Sequence, residues 1–86
     1  MKIFALFLIV TKTCNISVNS REDCQIICDH ETNCEAWTFA KDKKICMSKS
    51  RYGWTHQHNP NRESGFKNQG PWYEPDTDFY GGDADC

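Results

Sequence analysis

The chain has 86 residues, enough for one small domain, with six cysteines and a net charge of -2 from ten basic and twelve acidic side chains. A chain this short buries only about 60 to 65% of its unfolded surface on folding, so disulfides worth roughly 2 to 4 kcal/mol each are expected to stabilise it. Neither the total charge nor its distribution supplies the dense basic face that nucleic-acid binding needs, and we exclude that class.

The cysteine content predicts an oxidising environment. Six cysteines in a short chain fit a secreted or extracellular protein better than a cytosolic one, where thiols are kept reduced. A catalytic thiol must be free and must have a lowered pKa, whereas these cysteines are better used as bridges. Zinc is also disfavoured, because Cys24-x3-Cys28 does not have zinc-ligand spacing and the pair His56 and His58 is weak evidence alone. We therefore predict no enzymatic activity, no cofactor and no metal.

The N-terminal segment, residues 1 to 13, carries Lys2 followed by eight apolar residues from Ile3 to Val10. Eight residues are far too few for a membrane span, which takes about 20, but they fill the apolar region of a signal peptide. The alternative is that the segment is the truncated first strand of the domain. Directly after it, Asn15-Ile16-Ser17 is a glycosylation sequon, so Asn15 is a predicted glycan acceptor if the chain is secreted.

The clearest local signal is a helix start. Ser20 is a favourable N-cap residue, and Asp23 follows three positions later in a variant of the capping box. A helix over residues 21 to 30 places Cys24 and Cys28 on one face, because residues four apart lie one above the other. Both thiols are therefore predicted to point into the core.

Two short strands are predicted after the helix. Residues 35 to 39 are rich in β-forming side chains and alternate, which puts Trp37 and Phe39 on one side. A polar turn over residues 41 to 44 then leads into a returning strand over residues 45 to 48. The expected fold class is α+β, with one helix packed on a short antiparallel β-sheet.

The rest of the chain carries weaker signals. Residues 49 to 70 are polar without a sustained period, which predicts a long loop. Beyond Gly70-Pro71 the composition turns acidic, and residues 71 to 86 have a net charge of -5. We interpret them as an acidic linker or as the start of a second module in a longer tandem protein. In that interpretation they are poorly ordered here, and Cys86 is a free thiol.

Several of these features together resemble a known family, the PAN/Apple domain. The resemblance covers residues 15 to 67 and rests on four segments: Cys24 and Cys28 on a helix, Cys34 leading into Trp37-Thr38-Phe39, Cys46-Met47-Ser48-Lys49-Ser50, and Ser64-Gly65-Phe66-Lys67. It implies a disulfide-rich domain over residues 14 to 70, with one bridge between Cys24 and Cys46 and another between Cys28 and Cys34. In longer members a further bridge ties the domain ends, so a Cys14 to Cys86 bridge is the alternative to a free Cys86.

The predicted function is non-enzymatic extracellular recognition or adhesion. Lys49, Arg51, Tyr52 and Trp54 combine cations with flat rings, which suits an acidic glycan or a protein partner. For Trp54, capping a small core is the stronger interpretation. The alternative function is a secreted disulfide-rich inhibitor or toxin-like protein that presents residues 49 to 70 as a protruding reactive loop. The third possible function is that of a structural spacer without a ligand.

Overall fold

A computed structural model describes residues 15 to 83, apart from the side chains of Arg51, Tyr52 and Asp83. The predicted signal peptide over residues 1 to 13 and the states of Cys14 and Cys86 lie outside the described residues. The described elements, in chain order, are β1 (Ile16–Ser17), α1 (Arg21–His30), β2 (Ala36–Ala40), β3 (Ile45–Phe66) and β4 (Glu74–Asp83).

Helix α1 spans the predicted residues and begins as the sequence predicts. The Asp23 N–H donates to the Ser20 side-chain oxygen at 3.3 Å, which satisfies one of the free N–H groups of the first turn. Cys24 and Cys28 are fully buried, whereas Ile26 lies on the other side with 55% of its surface exposed. The helix therefore packs through its cysteine face.

Strand β2 lies at the centre of the sheet because β3 pairs with it twice. Residues 45–49 of β3 lie along one edge of β2, and residues 62–66 lie along the other. In both segments the residue numbers run in opposite directions, so the pairing is antiparallel, and Ala36 faces both Lys49 and Phe66. Strand β1 adds to the outer edge of the first segment. The antiparallel α+β architecture is confirmed.

The prediction of a long loop over residues 49 to 70 is wrong. Most of it belongs to β3, and the middle of β3 pairs with β4 from Trp54 opposite Gly81 to His58 opposite Thr77. We also expected residues 71 to 86 to be poorly ordered, whereas Glu74–Asp83 form a strand that pairs with β3. Ladder hydrogen bonds join backbone groups: every residue carries the C=O acceptor and every residue except proline the N–H donor, so a polar segment without apolar alternation can still pair. We call this pair of strand segments the β3–β4 ribbon.

The core on the helix side of the sheet is built mainly from sulfur and aromatic rings. Disulfides join Cys24 to Cys46 and Cys28 to Cys34, each with a Cα separation of 5.3 Å, and these are the pairs that the family resemblance implies. Trp37 lies among them with 1% of its surface exposed, and Phe39 is also buried. We call this set of residues the helix-side core: Cys24, Cys28, Cys34, Trp37, Phe39 and Cys46.

Gly65 explains why a Ser-Gly pair stands in the last segment of β3. It lies opposite Trp37, and a Cβ atom at this position would come within 2.6 Å of the indole ring. Only glycine leaves room for the ring here. The Trp37 Nε1 group in turn donates to the Gln25 Oε1 atom at 2.9 Å, which satisfies the buried indole N–H and fixes the ring against the helix.

The β3–β4 ribbon crosses the opposite face of the sheet. Successive side chains of a strand point to opposite faces, so Thr38 points away from the helix. Its hydroxyl accepts from the Phe79 N–H at 3.1 Å and lies 2.7 Å from the Ser64 hydroxyl, which donates to the Thr77 carbonyl at 2.7 Å. If Thr38 donates to Ser64, each of these two buried hydroxyl groups donates one hydrogen bond and accepts another. These hydrogen bonds attach the ribbon to β2.

Aromatic rings fill the space beside these hydroxyl groups. Phe79 is fully buried, stacks on Trp54 at 4.4 Å between ring centroids, and meets His56 at 4.7 Å and Phe66 at 5.3 Å. We call these four rings the aromatic layer. It gives the domain a second apolar cluster, separated from the helix-side core by the sheet.

Candidate functional site

A cleft of about 340 Å³ opens on the ribbon side of the sheet. Six residues line it: Met47, Lys49, Arg62, Asp78, Tyr80 and Gly81. The first two come from the first segment of β3, Arg62 comes from its last segment, and the other three come from β4. On this face β2 carries only short side chains, Ala36, Thr38 and Ala40, so no long side chain from the central strand fills the space. We call it the ribbon cleft.

Lys49 is the residue of the ribbon cleft that sequence reasoning had placed in a binding site. It lies in the cleft wall with only 2% of its surface exposed, and its carbonyl accepts from the Glu35 N–H at 2.7 Å. Sequence reasoning treated it as a cation that would contact an acidic glycan or a protein partner. Its position opposite Ala36 in the ladder instead sets its side chain beneath the ribbon.

Arg62 is held in place on the other side of the cleft. Its Nη1 group donates to the Asp42 carboxylate at 2.8 Å and to the Asn61 carbonyl at 3.2 Å. A planar guanidinium anchored through one nitrogen has a defined orientation, which lowers the entropy lost when it binds something else. Asp78 brings a carboxylate to the same cleft from β4. The cleft therefore contains charges of both signs.

Tyr80 and Gly81 complete the wall formed by β4. Tyr80 is 60% exposed, more than any other bulky apolar residue whose burial is described. Gly81 has φ +85°, and a Cβ atom there would lie 2.9 Å from the Gly53 carbonyl oxygen, so this part of the wall is bare backbone. The site thus offers one flat apolar surface beside charged groups, a combination typical of small-molecule and interface sites.

The other predicted binding residues have different positions. Trp54 stacks on Phe79, and its Nε1 group donates to the Ser50 carbonyl at 2.7 Å, which favours the interpretation of Trp54 as a packing residue. Arg51 and Tyr52 lie in β3, and their side chains are outside the description. Asn15 is exposed, which is compatible with glycosylation, and that modification stays a prediction.

Sequence reasoning missed Arg62, Asp78 and Tyr80. A signal for the last two is present in Asp78-Phe79-Tyr80, where one apolar ring stands between a charged and an amphipathic residue. If that segment is a strand, Phe79 points inward and its two neighbours share the opposite side. The acidic composition of residues 71 to 86 hid this alternation, because it suggested a linker.

Two further clefts in the described part of the chain are weaker candidates. One, of about 260 Å³, is lined on one side by residues 56–58 of β3 and on the other by residues 75–77. The other, of about 330 Å³, lies at the start of α1, where Arg21 already pairs with Glu63 at 3.4 Å. Among residues 15 to 83 no cluster of histidine, cysteine or acidic side chains could hold a metal ion, and no helix is long and apolar enough to cross a membrane.

Comparison with known families gives one match. A family model described as PAN domain matches residues 9–69, which is more than two thirds of the chain. Neither the comparison with curated proteins nor that with solved structures found a significant match. The matched residues contain α1, the four bridged cysteines and the sheet apart from β4. The family generally comprises protein-binding or carbohydrate-binding modules. This chain belongs to the PAN domain family.

Proposed function

We propose that this PAN domain is a non-enzymatic recognition module that works outside the cell and binds protein or carbohydrate through the ribbon cleft. The observation that carries the proposal is the exposed Tyr80 ring beside the oriented Arg62 side chain. Tyrosine and arginine are enriched where proteins bind partners, because a rigid ring buries much surface for little lost rotamer freedom and a planar guanidinium offers several hydrogen-bond donors.

The structure around the cleft supports such a role. The wall residues from β3 belong to the same strand as Cys46, which is bridged to the helix. The wall residues from β4 flank Phe79, whose amide is bonded to Thr38. A site held from both sides changes little on binding, so more of the contact energy remains as affinity.

An extracellular location is supported by the two disulfides. They form and persist in oxidising compartments, and they close loops within the small helix-side core. Residues 1 to 13 are the predicted signal peptide that would direct the chain there.

The inhibitor alternative loses its main support. It required residues 49 to 70 to protrude as a reactive loop, whereas residues up to Phe66 belong to β3. A paired strand holds its backbone in ladder hydrogen bonds and cannot enter a protease cleft without leaving the sheet.

The test is a binding screen of the oxidised protein against immobilised glycans and extracellular proteins. Tyr80→Ser removes the exposed ring of the cleft, and Trp72→Ser is the matched control, since Trp72 is 49% exposed but lines a different groove beside α1. We expect Tyr80→Ser to lose the ligand and Trp72→Ser to keep it. Equal retention by both variants, or no ligand in either screen, would overturn the proposal.

A further inference from the structure

We infer that the ribbon cleft takes a neutral hexose unit with adjacent hydroxyl groups, rather than the acidic glycan that the cations near Lys49 first suggested. This inference rests on the proposed function and names the ligand class of the same site. Three features of the cleft support it: its charge balance, the anchoring of Arg62, and the pairing of one ring with one carboxylate.

The charges of the cleft are balanced. Lys49 and Arg62 are the cations, Asp78 is a carboxylate in the wall, and the Asp42 carboxylate lies 2.8 Å from Arg62. Asp78 would repel an anionic ligand, and Asp42 already neutralises the Arg62 guanidinium, so such a ligand gains little net attraction. A sugar hydroxyl, in contrast, donates to a carboxylate and accepts from a guanidinium, so two neighbouring hydroxyls can use both kinds of group.

Arg62 has donors suited to this purpose. Within the described residues, both of its hydrogen bonds use Nη1. A guanidinium has five N–H donors in a rigid plane, so Nη2 and Nε keep their hydrogens for a ligand. Asp42 neutralises the guanidinium without occupying those donors. Arg62 therefore acts as an oriented hydrogen-bond donor more than as a source of net positive charge.

Tyr80 and Met47 supply the apolar part of the site. A hexose has one face of C–H groups and an edge of hydroxyls, which fits a ring or thioether on one side and charged acceptors on the other. The volume of about 340 Å³ lies at the low end of the roughly 300 to 1,000 Å³ range of small-molecule sites. The cleft thus suits about one sugar unit rather than a long chain.

The position of the site relative to the family match shows where its specificity would originate. The match ends at residue 69, whereas Asp78, Tyr80 and Gly81 lie on β4. Half of the lining residues therefore come from outside the matched segment. The ligand class depends on this chain's own β4.

The experiment titrates the oxidised protein by NMR with three neutral probes, the methyl glycosides of mannose, glucose and galactose, and with glucuronic acid as the matched anion. Each titration is run at about 0.01 M and about 1 M salt, where the Debye length is about 30 Å and about 3 Å. We expect at least one neutral glycoside to bind with shifts centred on the cleft and with little change in Kd between the two salt concentrations.

The variant Asp78→Asn removes the carboxylate and keeps the shape of the side chain. We expect it to weaken binding of the neutral glycoside by about tenfold or more, because hydrogen bonds to charged groups contribute about 1.5 to 3 kcal/mol. Asp76→Asn is the matched control, since it makes the same charge change two residues away and Asp76 does not line this cleft. Amide spectra of both variants verify that the fold is kept.

The outcomes separate the two proposals. Salt-sensitive binding of glucuronic acid that Asp78→Asn strengthens would overturn the neutral-sugar inference and leave the proposed function standing. The same holds if no sugar binds but a protein partner is captured in a manner that depends on Tyr80. Failure of every sugar and every protein would overturn both.

Discussion

The two faces of the sheet are built on different principles. The helix-side core comes from one short stretch of chain, residues 24 to 46, and is closed by two disulfides. The ribbon side joins residues as far apart as Thr38 and Phe79 through hydroxyl groups and stacked rings. The first face is suited to stability and the second to a binding site, because the ribbon leaves a cleft whose wall presents the exposed Tyr80 side chain.

Replacing Trp37 with alanine should have the largest effect. Removing a fully buried large aromatic typically costs about 3 to 5 kcal/mol, which is much of the stability of a small domain, and here the Gln25 Oε1 atom would also lose the indole N–H that donates to it. Urea denaturation followed by circular dichroism measures the change. Trp54→Ala is the comparison and should cost less, since Trp54 is only partly buried. A more damaging Trp54→Ala would place the main core on the ribbon side.

Phe79→Ala tests whether the ribbon also contributes to folding. Phe79 is fully buried beneath three other rings, so we expect a loss of about 3 to 5 kcal/mol, close to that of Trp37. Its neighbour Tyr80 is exposed, and Tyr80→Ala should change the free energy of unfolding by no more than about 0.5 kcal/mol. Thermal melts compare the two. Equal, small effects would mean that β4 does not pack on the sheet.

The two disulfides should contribute unequally. Cys24–Cys46 spans 22 residues and Cys28–Cys34 spans 6, so loop-closure entropy predicts about 3.4 and about 2.2 kcal/mol respectively. Double alanine variants of each pair, measured in the same denaturant series, give both values. If the shorter loop proves the more important bridge, its contribution comes from native packing rather than from restriction of the unfolded chain.

Thr38→Val should have a smaller effect than removal of either buried ring. The substitution keeps the shape of the side chain but leaves the Phe79 N–H without its acceptor and the Ser64 hydroxyl without its neighbour. An unsatisfied buried donor costs about 1 to 3 kcal/mol. Hydrogen exchange of the Phe79 amide should accelerate in Thr38→Val and stay slow in Thr38→Ser, which keeps a hydroxyl. Unchanged exchange in Thr38→Val would show that the ribbon does not depend on this bond.

The sequence predicted the helix-side elements because their signals are local. The capping residue Ser20, the spacing of Cys24 and Cys28, and the alternation around Trp37 each involve neighbours within a turn or a strand. The ribbon was mispredicted because β3 is held by backbone pairing on both sides, and such pairing leaves no composition signal in polar residues.

The amino-acid sequence by itself determined the fold class, the helix boundaries and the family, because these depend on residue types at short, regular spacings. Which residues form the candidate site was decided only by the tertiary structure. Met47, Arg62 and Tyr80 are distant in the chain, and they meet because β3 wraps both edges of β2 and β4 returns across that face. Residues that converge through such long-range pairing carry no shared periodicity, so no local pattern could have brought them together.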